Sequence, residues 1–175
     1  MSTRRGVVLA IALGATFLVS ACSSDPSKGY AMGWTYDENV RSVAVPMFDN
    51  STFDTGLEFD LTEAIIAEIQ SQTPWVVTAN ERADTTLTGA ITGAQARNLS
   101  STPGTGLVQE NAYELRVSFR WRDNRSGDVL VARDGFSAVG TYVPARGTGE
   151  RREIGQRQAI RELAREIVAE LRSNW

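Results

Sequence analysis

Ala112-Tyr113-Glu114-Leu115-Arg116-Val117-Ser118-Phe119-Arg120-Trp121-Arg122 is the stretch that decides the fold. Tyr113, Leu115, Val117, Phe119 and Trp121 alternate with Glu114, Arg116, Ser118, Arg120 and Arg122, the period of two that puts one strand face in a core and the other in water. Asp123-Asn124-Arg125-Ser126-Gly127-Asp128 then reads as a hairpin turn, with turn chemistry explaining its aspartates, and Val129 to Val143 as the returning strand, bent at Gly135 and Gly140. Upstream, Asp84 to Arg97 reads as a longer strand in which Leu87 and Ile91 share a face with Gly89 and Gly93. Asn98 to Gly106, rich in Ser, Thr, Pro and Gly, reads as the loop between the two. Val40 to Phe48 is a further strand, with Val43, Val45 and Met47 on one face and Pro46 marking an edge or strand end. Asp49 to Gly56 is then a loop, and Trp75 to Thr78 a short strand.

Two segments change to the helical period. Leu57 to Gln72 stripes Leu61, Ile65, Ile66 and Ile69 along one side and stops at Thr73-Pro74. From about Glu150 to Ser173, Ile160, Leu163, Ala164, Ile167, Val168 and Leu171 form a second stripe opposite Arg161, Glu162, Arg165 and Glu166. The order strand, helix, strands, helix implies an α+β fold: two helices packed on one face of a four- to five-stranded, mostly antiparallel sheet.

Composition excludes much chemistry. The 175 residues hold no histidine and one cysteine, so there is no imidazole base, Ser-His-Asp triad, His-rich zinc site or disulfide. An enzyme would have to run on carboxylates, and Glu58, Asp60, Glu63 and Glu68 read better as a solvated helix surface whose early acids suit the helix dipole. Asp123, Asp128 and Asp134 lack calcium-loop spacing, and Pro103-Gly104-Thr105-Gly106 resembles a phosphate loop in composition only. Neither a metal nor a cofactor is expected, and the chain is read as non-enzymatic.

The N-terminus sets the compartment. Arg4 and Arg5 precede an uncharged run, Gly6 to Val19, that is short for a membrane span, so residues 1–21 read as a secretory signal. Leu18-Val19-Ser20-Ala21-Cys22 resembles the bacterial lipobox, which makes Cys22 the acylated N-terminus of the mature chain. Residues 22–28 are then the acylated cysteine and a polar tether, and residues 29–175 one domain. Ser23, where an inner-membrane retention signal would have aspartate, points to the periplasmic face of the outer membrane, held by the acyl anchor. Cleavage removes two bases and no acid, leaving 16 basic and 21 acidic side chains, a balance that disfavours nucleic acid.

Arginine supplies all the base of the chain except Lys28. Arg116, Arg120 and Arg122 fall on the open face of the central strand, and Arg146, Arg151, Arg152 and Arg157 gather around the last loop and helix start. Guanidinium groups suit phosphates, but spacing alone fits a solvated face balanced by Glu114, Glu150 and Glu153 better.

Val43-Ala44-Val45-Pro46-Met47-Phe48-Asp49-Asn50-Ser51-Thr52, followed by Gly56-Leu57-Glu58 and Leu61-Thr62-Glu63-Ala64-Ile65, resembles the lipopolysaccharide-assembly lipoproteins, the LptE family. Ala83-Asp84-Thr85-Thr86-Leu87-Thr88-Gly89-Ala90-Ile91 and Tyr113 to Leu130 extend the resemblance, which runs from about Gly29 to Leu171. It implies an α+β lipoprotein that plugs the lumen of the outer-membrane barrel LptD and helps lipopolysaccharide reach the outer leaflet. In the family, one base before the long central strand and another before the last helix are tied to lipopolysaccharide contact. Arg146 matches the second by position, with Arg151 and Arg152 close by; Thr102 to Gln109 holds no base, and the nearest to the first is Arg97. The Val45-Pro46-Met47-Phe48-Asp49-Asn50 segment also resembles curli-secretion lipoproteins and activators of penicillin-binding proteins, so a regulator of a periplasmic cell-wall enzyme or a secretion component is the alternative.

Overall fold

The computed structural model describes residues 40–78, 82–101, 108–143 and 152–173. The signal segment, Cys22, the tether, Arg146 and Arg151 lie outside them. The elements in chain order are β1 (Ser42–Ala44), β2 (Asp49–Asn50), α1 (Leu57–Gln72), β3 (Val76–Val77), β4 (Thr85–Ser101), β5 (Val108–Asp123), β6 (Val129–Tyr142) and α2 (Arg152–Ser173). They form one six-stranded sheet in the order β3-β1-β4-β5-β6, with β2 joining the β1 side of β4. The long β4-β5-β6 ladders are antiparallel, whereas β1 runs parallel to both β3 and β4, and β2 parallel to β4. The α+β architecture, two helices on a mostly antiparallel sheet, is the one the periodicity implies, with a sixth, two-residue strand at Asp49–Asn50 where a loop is expected.

β5 carries the core. Tyr113, Leu115, Val117, Phe119 and Trp121 are all buried, while Arg116, Arg120 and Arg122 face solvent. The α2 stripe from Ala159 to Leu171 covers this face, and α1 adds Leu57, Leu61, Ile65 and Ile69 beside it. Thr73 ends α1 by returning both its N–H and its hydroxyl to the Ile69 carbonyl, at 3.0 and 2.7 Å.

Three departures from the sequence reading have local causes. β1 stops at Ala44, so Met47 is exposed and Phe48 is buried instead; Pro46 offers no N–H for a ladder, and the chain leaves β4 there before rejoining it at Asp49. The Phe48 ring then lies on Gly89, where any Cβ would come within 2.3 Å of it. The Phe48 N–H donates to the buried Thr62 hydroxyl, which in turn donates to the Glu58 carbonyl, at 3.1 and 2.6 Å. Secondly, a register shift between Ile91 and Gly93 inverts the alternation of β4, so that Gly93 faces Arg116 and not the core. Thirdly, β4 continues to Ser101 and β5 starts at Val108, so the β4–β5 hairpin is longer than the loop expected from Asn98.

β6 is a long edge strand, a template for unwanted pairing unless blunted. A register shift around Asp134 and Gly135, the latter at φ 68°, interrupts it. The Thr141 N–H is taken by the Gln158 side chain at 3.3 Å, and the Ala132 carbonyl by the Arg133 guanidinium at 2.9 Å, which also pairs with Glu170.

At the turn end of the sheet, Asp84 ties three segments together. Its carboxylate accepts from the Arg41 and Ser42 N–H groups, both at 3.1 Å, from the Ser42 hydroxyl at 2.9 Å, and from the Arg125 guanidinium. Burial works to raise the Asp84 pKa, but these hydrogen bonds and the Arg125 charge outweigh it and hold the carboxyl below its ordinary value of 3.8. Because the folded pKa is depressed, the stabilisation is complete above that value and disappears as pH falls through the folded pKa. Asp84→Ala is expected to cost about 1 kcal/mol at neutral pH, the net worth of hydrogen bonds whose donors are part-buried or exposed and can turn to water once the carboxylate is gone. Urea melts of the variant and the parent should converge in strong acid; a constant difference across pH would show that the carboxylate charge is not what holds the segments.

Candidate functional site

Asn50 organises the loop between β2 and α1. Its side-chain oxygen accepts from the Thr52 N–H and hydroxyl, at 2.9 and 2.8 Å, and its amide donates to the Asp54 carbonyl and the Glu58 carboxylate, at 2.8 and 2.6 Å. Side-chain oxygens of this kind form local turns because they sit within reach of the following N–H groups. The Glu58 N–H and the Asn50 amide hold the Glu58 carboxyl below its ordinary pKa. The Asp54 N–H is bound to the Thr52 hydroxyl at 3.3 Å, so the Asp54 backbone is held on both sides.

The Asp54 side chain points at β5 and α2. Its carboxylate accepts from the Tyr113 hydroxyl at 2.8 Å and pairs with the Arg152 guanidinium, which lies 5.1 Å from the centroid of the Tyr113 ring. Three residues distant in sequence therefore meet where the loop, β5 and the start of the last helix converge. Burial, then the adjacent Asp54 carboxylate, pushes the Tyr113 hydroxyl up to a pKa of about 12, so at neutral pH it is a neutral donor. The Arg152 and Asp54 side chains remain 46% and 30% exposed, so the pair can be reached from solvent.

Of the arginines singled out by sequence, Arg152 is thus engaged with an acid, and Arg97 is elsewhere. Arg97 pairs in register with Ala112 and comes within 4.0 Å of Glu114, on the sheet face opposite Tyr113. It shares that face with Arg116, itself 2.8 Å from Glu114. Arg97 and Arg152 do not form one site. Asp54 and Tyr113 escaped the sequence reading, since one sits in a polar loop and the other counts as core in a period-two pattern.

On the face away from the helices, Asp49, Thr88, Gly89, Ser118, Arg120 and Asp134 border an open groove of about 250 Å³. Among the described residues no group of three or more Asp, Glu, His or Cys side chains could hold a metal. None of the described helices is long and apolar enough to cross a membrane.

Comparison with known proteins adds the family. Solved structures that share the fold include the hypothetical protein CT253 from Chlamydia trachomatis, with a TM-score of 0.53 and 12% identity, aligned over 77% of this chain and 97% of that one, and a minor lipoprotein from Acinetobacter baumannii, with a TM-score of 0.51 and 15% identity, over 77% and 94%. Sequence comparison with curated proteins gives no match. The family of lipopolysaccharide-assembly proteins LptE matches residues 40–172, a range that runs from the residue before Arg41, held by Asp84, to the last turn of α2. The chain belongs to the LptE lipopolysaccharide-assembly family.

Proposed function

We propose that this chain is a lipoprotein of the outer membrane that partners and plugs an LptD-type β-barrel during lipopolysaccharide transport to the cell surface. The observation that carries the reading is the family match across the whole α+β domain. Residues 1–21 are the signal peptide, Cys22 is acylated, residues 22–28 tether the domain to the periplasmic face, and residues 29–175 form the single domain that enters the barrel. The exposed sheet face supports this role: Thr88, Arg116, Arg120 and Arg122 present a polar surface suited to the polar lumen of a large barrel and not to lipid. The activity is assembly and not catalysis. Lipopolysaccharide is met at the end of the domain that carries Arg152, with Arg146 and Arg151 beside it in sequence and Arg97 on the opposite sheet face. There its phosphates meet guanidinium forks, each charge-assisted contact worth about 1.5–3 kcal/mol when sheltered and less when exposed.

The test is depletion combined with purification of the lipidated chain from membranes in mild detergent. A barrel protein is expected to co-purify, and surface lipopolysaccharide to fall on depletion. Normal barrel assembly and lipopolysaccharide with reduced peptidoglycan synthesis would instead make the protein an activator of a cell-wall enzyme.

A further inference from the structure

Asp54 holds a position that its own loop does not require of it. The loop is fixed through the Asn50 side chain and the Thr52 hydroxyl, which bind the Asp54 backbone carbonyl and N–H. The carboxylate is therefore free to leave without unravelling the loop, and what it would leave behind is a guanidinium and a phenolic donor aimed at one point. We propose that Asp54 is an internal stand-in for a phosphate monoester: it fills the seat formed by the Arg152 guanidinium and the Tyr113 hydroxyl, and a phosphate on the saccharide headgroup of lipopolysaccharide displaces it. The lipopolysaccharide part of this inference rests on the function proposed above.

The chemistry of the seat suits the exchange. A phosphate monoester carries more charge than a carboxylate and a third acceptor oxygen, so it takes a guanidinium fork and a hydroxyl at once. Tyr113 stays protonated at neutral pH and can donate to either anion. The ring beneath the guanidinium holds it in place by a cation–π contact, so Arg152 need not be reordered when the anion changes. The pair is half-exposed, and ion pairs of that kind are weak enough to be broken by a stronger competitor. The internal acid thereby sets a threshold: singly charged anions gain little by entering, and the phosphate gains only its excess over Asp54.

The test titrates the full chain in detergent micelles with two soluble probes, the deacylated glucosamine disaccharide bisphosphate of lipid A and inorganic phosphate, by calorimetry at low ionic strength. Asp54→Asn retains an oxygen to accept from Tyr113 but removes the competing charge. It is expected to bind the bisphosphate about two- to fivefold more tightly than the parent, the range set by the worth of a half-exposed ion pair. Adding Arg152→Gln should abolish the gain. Asp128→Asn, which removes an equal charge in the β5–β6 turn at the far end of the sheet, should not reproduce it. A folded Asp54→Asn variant that binds no more tightly than the parent, or no more tightly than Asp128→Asn, overturns the inference. If it fails in this way while Arg152→Gln alone still weakens the bisphosphate, lipopolysaccharide contact at this end survives without the stand-in. A gain for inorganic phosphate alone would uphold the seat and overturn its assignment to lipopolysaccharide. Absence of binding by every variant overturns the seat itself.

Discussion

Trp121→Ala should destabilise the domain by about 3–5 kcal/mol, the range for emptying a large aromatic site in a core that cannot fully collapse. Trp121 is fully buried in β5, the middle strand of the antiparallel β4-β5-β6 ladder, in register with Leu87 on β4 and Val131 on β6, so three strands lose packing at once. Its ring is tilted against Trp75, with centroids 5.2 Å apart, and this contact also fastens the segment that leads from α1 into β3. Typical totals are about 5–15 kcal/mol, so such a loss is a large share of the stability and would leave a large unfolded fraction in a domain near the lower end of that range. Trp75→Phe should be far milder. The Trp75 indole N–H is buried without a hydrogen-bond partner among the described residues, so phenylalanine removes an unsatisfied donor as well as some area. Urea unfolding followed by circular dichroism compares the two. Equal losses would mean that the tryptophan pair acts as one packing unit and that the unpaired donor carries no cost.

The contrast between β5 and β1 shows which parts of this fold a sequence can reveal. From Tyr113 to Trp121 β5 has one wet and one dry face, so each residue of that run reports its own side. The run from Val43 to Phe48 is apolar on both, and its true facing depends on where Pro46 lets go of β4, which only the neighbouring strand determines. The same holds for Gly93: the bulge after Ile91 is a property of the β4–β5 pairing, invisible in the alternation of β4 alone. β2 is two polar residues, Asp49–Asn50, and offers no period to read. At the candidate site the guanidinium of Arg152 was visible as a phosphate-binding group, but its partners are 98 and 39 positions away. Tyr113 was legible as core, and nothing local says that its hydroxyl meets a loop acid 59 residues earlier.

Gly140→Val should cost about 3 kcal/mol or more, at the upper end of what overpacking usually does, because the obstruction is main chain. A Cβ at position 140 would lie 1.9 Å from the Gly155 carbonyl oxygen and 2.7 Å from the Ala159 nitrogen, both in the backbone of α2. No rotamer change relieves that contact, so the first turns of the helix must lift from β6. The reciprocal change separates a crowded backbone from crowding in general. A Cβ on Gly155 meets mainly the edge of the Tyr142 ring, at 2.6 Å, and a ring can tilt. Alanine also gains helix propensity, up to about 1 kcal/mol in a helix interior and less in a first turn, so Gly155→Ala should fall well below the cost of Gly140→Val. Denaturant melts of both variants, with Gly140→Ala as an intermediate case, measure the difference, and a Gly140→Ala protein as stable as the parent would show that α2 sits more loosely on β6 than these distances require. The consequence reaches the site, since Gly155 lies one turn from Arg152: a helix lifted at Gly140 carries the guanidinium off the Tyr113 ring and out of reach of Asp54.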